Sequence, residues 1–135
     1  MIKLSKEKPY EDACKILGLR PVANYKSYKL TDETRNFIKL ETVAKALNEG
    51  WKPTTIDPKE VRCYVWGWNY TNNRKPSGLL SVHSNYGLGG ASAAVGTSLE
   101  FKDEDTAKEF ARMCKPMIVK YLFGRDDHEN FKFDF

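Results

Sequence analysis

The chain reads as an α+β domain, with three antiparallel strands, or four if the C-terminal segment joins them, and helices packed mainly on one face of the sheet. Three observations predict this. Residues 32–49 form a helical pattern in which Phe37, Leu40, Ala44 and Leu47, with Trp51 just beyond, recur on one face beside Val43. Residues 61–70 alternate strictly as a strand does, and a second helical pattern starts near Glu104. The order helix, helix, three strands, helix shows no internal repeat and no heptad array, which favours an antiparallel sheet under a helical layer.

The elements follow in order. Pro9, then Glu11 and Asp12, precede Ala13, Ile16 and Leu17, which predicts a short helix stopped by Gly18 and lying as a lid on the core. Residues 19–30 hold Pro21 and a polar run without sustained period, so they form a connecting loop that Tyr25 and Tyr28 can anchor. Thr31 or Asp32 caps the helix over 32–49, Asp32 and Glu33 suit its positive end, and Gly50 stops it. Lys52, Pro53 and Pro58 break the chain before the strand at 61–70. Thr71 to Gly78 is rich in turn formers, and Leu79 to Ser84 returns as a second strand, giving a hairpin with a basic loop at Arg74 and Lys75. After the small residues of 87–96 comes a third strand in Thr97 to Lys102. Asp103 caps a last helix with Ala107, Phe110, Ala111, Cys114, Met117, Ile118 and Tyr121 on or near its buried face, and Pro116 predicts a bend.

At 135 residues the chain is the size of one domain, and the interruptions near 53 and 71–78 are too short to divide it, so residues 1–135 are expected to share one core. An apolar fraction of 41% and a charged fraction of 30% are those of a folded protein and argue against disorder. No stretch nears the ~20 apolar residues of a membrane span, and the run from Met1 to Lys15 is too polar for a signal peptide. Cys14, Cys63 and Cys114 are odd in number, far apart and without a CxxC pair; they fit neither a disulfide framework nor a zinc site and point to a reducing cytoplasm. Residues 1–75 hold 15 Lys and Arg against 9 Asp and Glu, and the remainder 7 against 9, so the charge splits as +6 and −2. Such an excess can draw a polyanion to one side, but it is also ordinary surface charge.

The motifs that could carry chemistry are weak. The glycine-rich run at 87–96 lacks both a GlyLysSer or GlyLysThr ending and GxGxxG spacing, and a strand rather than a helix is expected next, so it reads as a loop and not a phosphate cradle. His83 and His128 are distant from each other, whereas a metal site needs three or four clustered ligands. His83 and Ser84 are adjacent on a strand and so point to opposite faces, which does not build a nucleophile and its base. Glu100, Asp103, Glu104 and Asp105 suit a helix start, and Asp126, Asp127 and Glu129 resemble a solvated tail. No catalytic residue, metal ligand or cofactor is assigned.

The most distinctive feature is the strand at 61–70. One side shows Val61, Cys63, Val65 and Gly67; the other shows Arg62, Tyr64, Trp66, Trp68 and Tyr70. Four large rings on one side are either core or a stacking platform. Helices need an apolar surface to pack on, which favours core. The opposite side is also apolar and better sized for tight packing, which would turn the rings outward, where single-stranded nucleic acid can stack on them while Arg62, Arg74 and Lys75 meet phosphate. The same rings suit a protein partner equally, since Trp, Tyr and Arg dominate interface hot spots.

The segment Arg125 to Phe135 is acidic and ends in Phe135, and is similar to the acidic, Phe-terminated tails of bacterial and phage single-stranded-DNA-binding proteins. Against that, Lys132 interrupts the acidity and Phe131, Phe133 and Phe135 alternate as in an edge strand, so residues 124–135 are expected as edge strand rather than flexible tail.

Asp12 to Pro21, Val43 to Pro53, Lys75 to Gly78 and Val95 to Ala111 together resemble a family of small uncharacterised proteins from phages and prophages of gut Bacteroidetes. The AlaLeuAsnGluGlyTrpLysPro segment ahead of an aromatic strand is the more specific part. In the family the third strand reads closer to GlySerArgLeuCysPheLysSer, where this chain has GlyThrSerLeuGluPheLysAsp, so the family's arginine is absent at Ser98. The resemblance implies a phage protein acting in the cytoplasm of a bacterial host, and no activity. The expectation is a non-enzymatic binding protein that contacts single-stranded nucleic acid, or alternatively a protein-interaction module such as a virion component or an inhibitor of a host enzyme.

Overall fold

The computed structural model describes residues 2–52, 60–72, 75–86 and 99–135, with backbone alone for 68–72, 75–77 and 85–86. Helix α1 spans Pro9–Leu17, with Pro9 fixing the first turn and Glu11 and Asp12 at its positive end. It ends in a paired closure at Gly18 (φ 67°), where Gly18 N–H donates to Lys15 O (3.3 Å) and Leu19 N–H to Cys14 O (2.8 Å). Its inward face is Tyr10, Ala13 and Cys14, while Ile16, expected inside, is 46% exposed. A 3-10 turn at Val22–Asn24 interrupts the following loop.

Helix α2 spans Asp32–Leu47, and Thr31 caps it by accepting from Thr34 N–H at 3.1 Å. Leu40, Val43, Ala44 and Leu47 are fully buried along the predicted face, with Ala46 beside them. Helix α3 spans Glu104–Phe123, capped by Asp103, whose Oδ1 accepts from Thr106 N–H at 2.7 Å. Its bend falls at Cys114 (φ −113°, ψ 18°), two residues before Pro116, because the proline ring crowds the preceding turn and supplies no N–H. Asn36 of α2 donates to Met117 O (2.9 Å) beside that bend, and the Phe37 and Tyr121 rings meet at 5.6 Å, so the two helices pack across it.

The described strands are β1 (Val61–Asn72), β2 (Lys75–Tyr86), β3 (Glu100–Phe101) and β4 (Phe131–Phe133), in sheet order β3-β1-β2-β4. β1 and β2 form the expected antiparallel hairpin, but its pairing runs on to Asn72↔Lys75, so most of the expected turn segment is strand. β3 meets β1 antiparallel over two residues, shorter than the stretch expected there. β4 is the predicted edge strand but pairs parallel to β2, which makes the sheet mixed rather than antiparallel. The reason is connectivity: α3 lies between β2 and β4 in sequence, and a crossover helix returns the chain in the same direction.

Two glycines set how closely aromatic rings approach the sheet. A Cβ on Gly67 would stand 2.6 Å from the Phe123 ring, and one on Gly78 would overlap the Phe131 ring. These rings stack on each other at 5.2 Å, so the end of α3 and strand β4 are seated through one continuous contact. Phe131 is fully buried, as are Phe101 and Phe110, which meet at 4.7 Å at the other end of the core. Replacing Gly67 by Ala is expected to cost about 1–3 kcal/mol by overpacking. Gly67→Ala combined with Phe123→Leu should recover part of that loss, as read from urea midpoints, and strict additivity would refute the contact.

Candidate functional site

The pleat sorts β1 into two faces, and the helices take the side of Cys63, Val65 and Gly67. Cys63 (1% exposed), Val65 (4%) and Leu80 (0%) join the core there, while Val61 at the strand end stays 39% exposed. The other face carries Arg62, Tyr64 and Trp66. Arg62 is not turned to solvent: it is 3% exposed, and its Nη1 lies 3.5 Å from Glu100 Oε1, itself on a residue 1% exposed. Tyr64 and Trp66 are half-buried and pack partly against the core residues. At these two rings the face is therefore neither wholly core nor wholly exposed.

His83, directly opposite Tyr64 across the hairpin, stacks on it with centroids 5.9 Å apart and planes 21° from parallel. This adds a ring to the face that the sequence reading missed, and the signal was available in the hairpin register. Ser81, opposite Trp66, donates to Asp134 Oδ2 at 2.5 Å and so ties the C-terminal segment to the same face. Trp68 and Tyr70 continue the alternation of the β1 backbone, and Lys75 pairs with Asn72 at the end of the hairpin. The side chains of Trp68, Tyr70 and Lys75, the residue Arg74 and the glycine-rich run at 87–96 lie outside the described residues.

The Arg62–Glu100 pair is the most unusual electrostatic feature. Glu100 was grouped with the acids of a helix start, but it lies on β3 opposite Tyr64, on the face away from the helices. Neither carboxylate oxygen accepts a hydrogen bond, and Arg62 Nε donates none, so the pair is buried with polar capacity unspent. Burial pushes the Glu100 carboxyl above its ordinary range, opposed by the adjacent Arg62 guanidinium and reinforced by the charge of Glu60. The Glu100 backbone is held separately: its carbonyl accepts from the Asn48 side chain at 2.9 Å, joining the end of α2 to the edge of the sheet.

The remaining titratable groups have structural surroundings. Cys14, Cys63 and Cys114 are all free and buried, and burial raises each thiol, Cys114 to about 12. His83 and Ser84 point to opposite faces, and the Ser84 hydroxyl donates to Glu104 Oε1 at 3.3 Å on the helix side. The acids of the last segment are engaged rather than merely solvated: Arg125 bonds Asp127 through its Nε (2.7 Å) and Nη2 and holds that carboxyl well below the usual range. Arg125 also covers the Phe131 ring at 4.9 Å. Among the described residues, no three His, Cys, Asp or Glu side chains come together as metal ligands would, and no helix is long and apolar enough to cross a membrane. No protein-family model, curated protein or solved structure matches the chain.

Breaking the buried pair has a signed outcome. Arg62→Met strands the Glu100 carboxylate and should cost about 3–5 kcal/mol, whereas Arg62→Met with Glu100→Met should regain most of it; equal loss in both, by chemical denaturation, would contradict the pairing. Because the folded carboxyl titrates above the unfolded one, the native state binds the extra proton between the two values. Wild-type stability relative to Glu100→Gln should therefore fall as pH rises through that window and level off above it. Denaturation curves across the acid range test the sign.

Proposed function

We propose that this chain is a non-enzymatic, phage-encoded binding protein that works in the cytoplasm of its bacterial host and holds single-stranded nucleic acid on the hairpin face away from the helices. In this reading Tyr64, Trp66, Trp68 and Tyr70 offer stacking surface, His83 extends it beside Tyr64, and Arg74 and Lys75 meet phosphate. Arg62 drops out as a phosphate contact, since its charge is committed to Glu100.

The observation that carries the reading is the length of the hairpin. β1 and β2 pair continuously to Asn72↔Lys75, while β3 meets β1 only at Cys63 and Tyr64 and β4 meets β2 only from Gly78 to Leu80. Among the described residues, the ribbon from Tyr70↔Ser77 outward thus has no strand on either edge, and a two-stranded arm whose last described pair includes Lys75, with Arg74 next to it in sequence, suits a chain of phosphates and bases. A protein partner is the second reading, favoured by the inward turn of Arg62, which leaves the rings with fewer cations around them.

Titrating intrinsic tryptophan emission with mixed-sequence single-stranded DNA, with Trp51 held constant, tests the proposal. Trp66→Ala is expected to weaken binding by about 1–3 kcal/mol with the fold retained, and Arg74→Gln with Lys75→Gln to reduce the salt slope by about 1.4. Emission indifferent to DNA, together with a salt-insensitive complex with one protein, would replace the nucleic acid by a protein partner.

A further inference from the structure

We propose that the loop from Arg20 to Lys29 is a second contact for single-stranded nucleic acid, with Tyr28 as a base-stacking ring and Arg20, Lys26 and Lys29 as phosphate contacts. The inference deepens the function proposed above and rests on that reading for its partner, but its residues lie on a different part of the molecule.

The first argument is preorganisation. Arg35, in the opening turns of α2, donates from Nη1 to Ala23 O (2.8 Å) and Tyr25 O (3.1 Å) and from Nη2 to Tyr28 O. One guanidinium therefore gathers three carbonyls of the loop. Backbone bonds close it further, from Tyr25 N–H to Val22 O (3.0 Å), Tyr28 N–H to Tyr25 O (3.3 Å) and Leu30 N–H to Tyr28 O (2.9 Å). At its base, Ala23 is buried and its N–H donates to the Tyr10 hydroxyl at 3.1 Å. A surface segment whose regular structure is a single 3-10 turn is thus ordered before any ligand arrives, which lowers the entropy cost of binding.

The second argument is what this order presents. The Tyr25 and Tyr28 rings stack with centroids 5.9 Å apart and planes 13° from parallel. Tyr25 is half-buried, whereas Tyr28 is 49% exposed, among the most exposed large apolar side chains of the described residues. A ring backed by a second ring and open to water is a ready-made step on which a base continues the stack. Core packing does not account for this pair, because neither tyrosine joins the buried cluster.

The third argument is charge. Arg20, Lys26 and Lys29 are all exposed, and residues 19–30 contain no Asp or Glu. None of the three takes part in an ion pair among the described residues, unlike Lys102, Lys108 and Lys120 elsewhere on the surface. The next acids in sequence, Asp32 and Glu33, sit in the first turn of α2 and complement its positive end. Cations without an ion pair among the described residues, interleaved with aromatic rings over a fixed backbone, suit the alternating phosphates and bases of a single strand, and a duplex offers no such unstacked bases.

The test is fluorescence anisotropy of a labelled oligothymidylate with Tyr28→Ala and with Lys26→Gln plus Lys29→Gln, at several salt concentrations. All three positions are exposed, so circular dichroism should show an unchanged fold. Tyr28→Ala is expected to weaken binding about tenfold, and the double lysine variant to flatten the log–log salt slope by about 1.4. Unchanged affinity and slope in both variants, with Trp66→Ala still weakening the complex, would overturn the loop contact and leave the hairpin reading standing. Loss in the loop variants with Trp66→Ala unaffected would support the loop and remove the hairpin face instead. Wild-type protein that binds heparin as tightly as oligothymidylate, with Tyr28→Ala indifferent to both, would mark a nonspecific polyanion patch and overturn the inference.

Discussion

The contact of the Phe123 and Phe131 rings with the bare backbone of Gly67 and Gly78 governs much of the architecture. Phe123 is the last residue of α3, and its ring can reach the sheet only because β1 has no side chain at Gly67. Phe131 opens β4 and lies over β2 for the same reason at Gly78. Since the two rings stack, the distance of α3 from the sheet and the position of the parallel edge strand are set together. The short segment between them keeps this geometry through Arg125, which spans Asp127 and the face of Phe131. Close packing makes such a junction sensitive to a single added methyl group.

The opposite face of the sheet is ruled by a different constraint. A guanidinium and a carboxylate are removed from water with Arg62 Nε and both Glu100 carboxylate oxygens lacking a hydrogen-bond partner, so their mutual attraction works against a large desolvation cost. Such a pair is poor at stabilising a fold but strict about register, since sliding β3 by one residue would move Glu100 to the helical face. Asn48 adds a second restraint by holding the Glu100 carbonyl from the end of α2. The edge of the sheet with only two paired residues is therefore fixed from both of its faces.

Between these constraints the molecule leaves aromatic rings only partly covered in two places. At Tyr64, Trp66 and His83 the rings stand on a strand, and their placement is fixed by pleat and register. At Tyr25 and Tyr28 they stand on a loop, and Arg35 supplies the rigidity that a strand would otherwise give. Partly covered rings are thus held on two unlike supports, a paired strand and a loop gathered by one guanidinium.

The three helices, the N-caps Thr31 and Asp103, the stop at Gly18, the bend ahead of Pro116 and the central hairpin were legible from the residues alone, because capping, helical periodicity and strand alternation act over a few positions in sequence, whereas α2 closes at Asn48 and not at the expected Gly50. What the tertiary structure decided rests on residues far apart in the chain. The parallel direction of β4 depends on where α3 returns it, so an alternation of phenylalanines that correctly suggested a strand held no information about its orientation. Arg62 looked like a surface cation until β3 brought Glu100 beside it, and nothing in the alternation of β1 showed that Gly67 would make room for Phe123. Tyr25 and Tyr28 looked like anchors of a loop, whereas Arg35 is the anchor and the rings are what it displays. Local chemistry fixes the elements, but burial and charge pairing belong to contacts that exist only after those elements have packed, and these decide which of the chain's aromatic and cationic groups remain available at its surface.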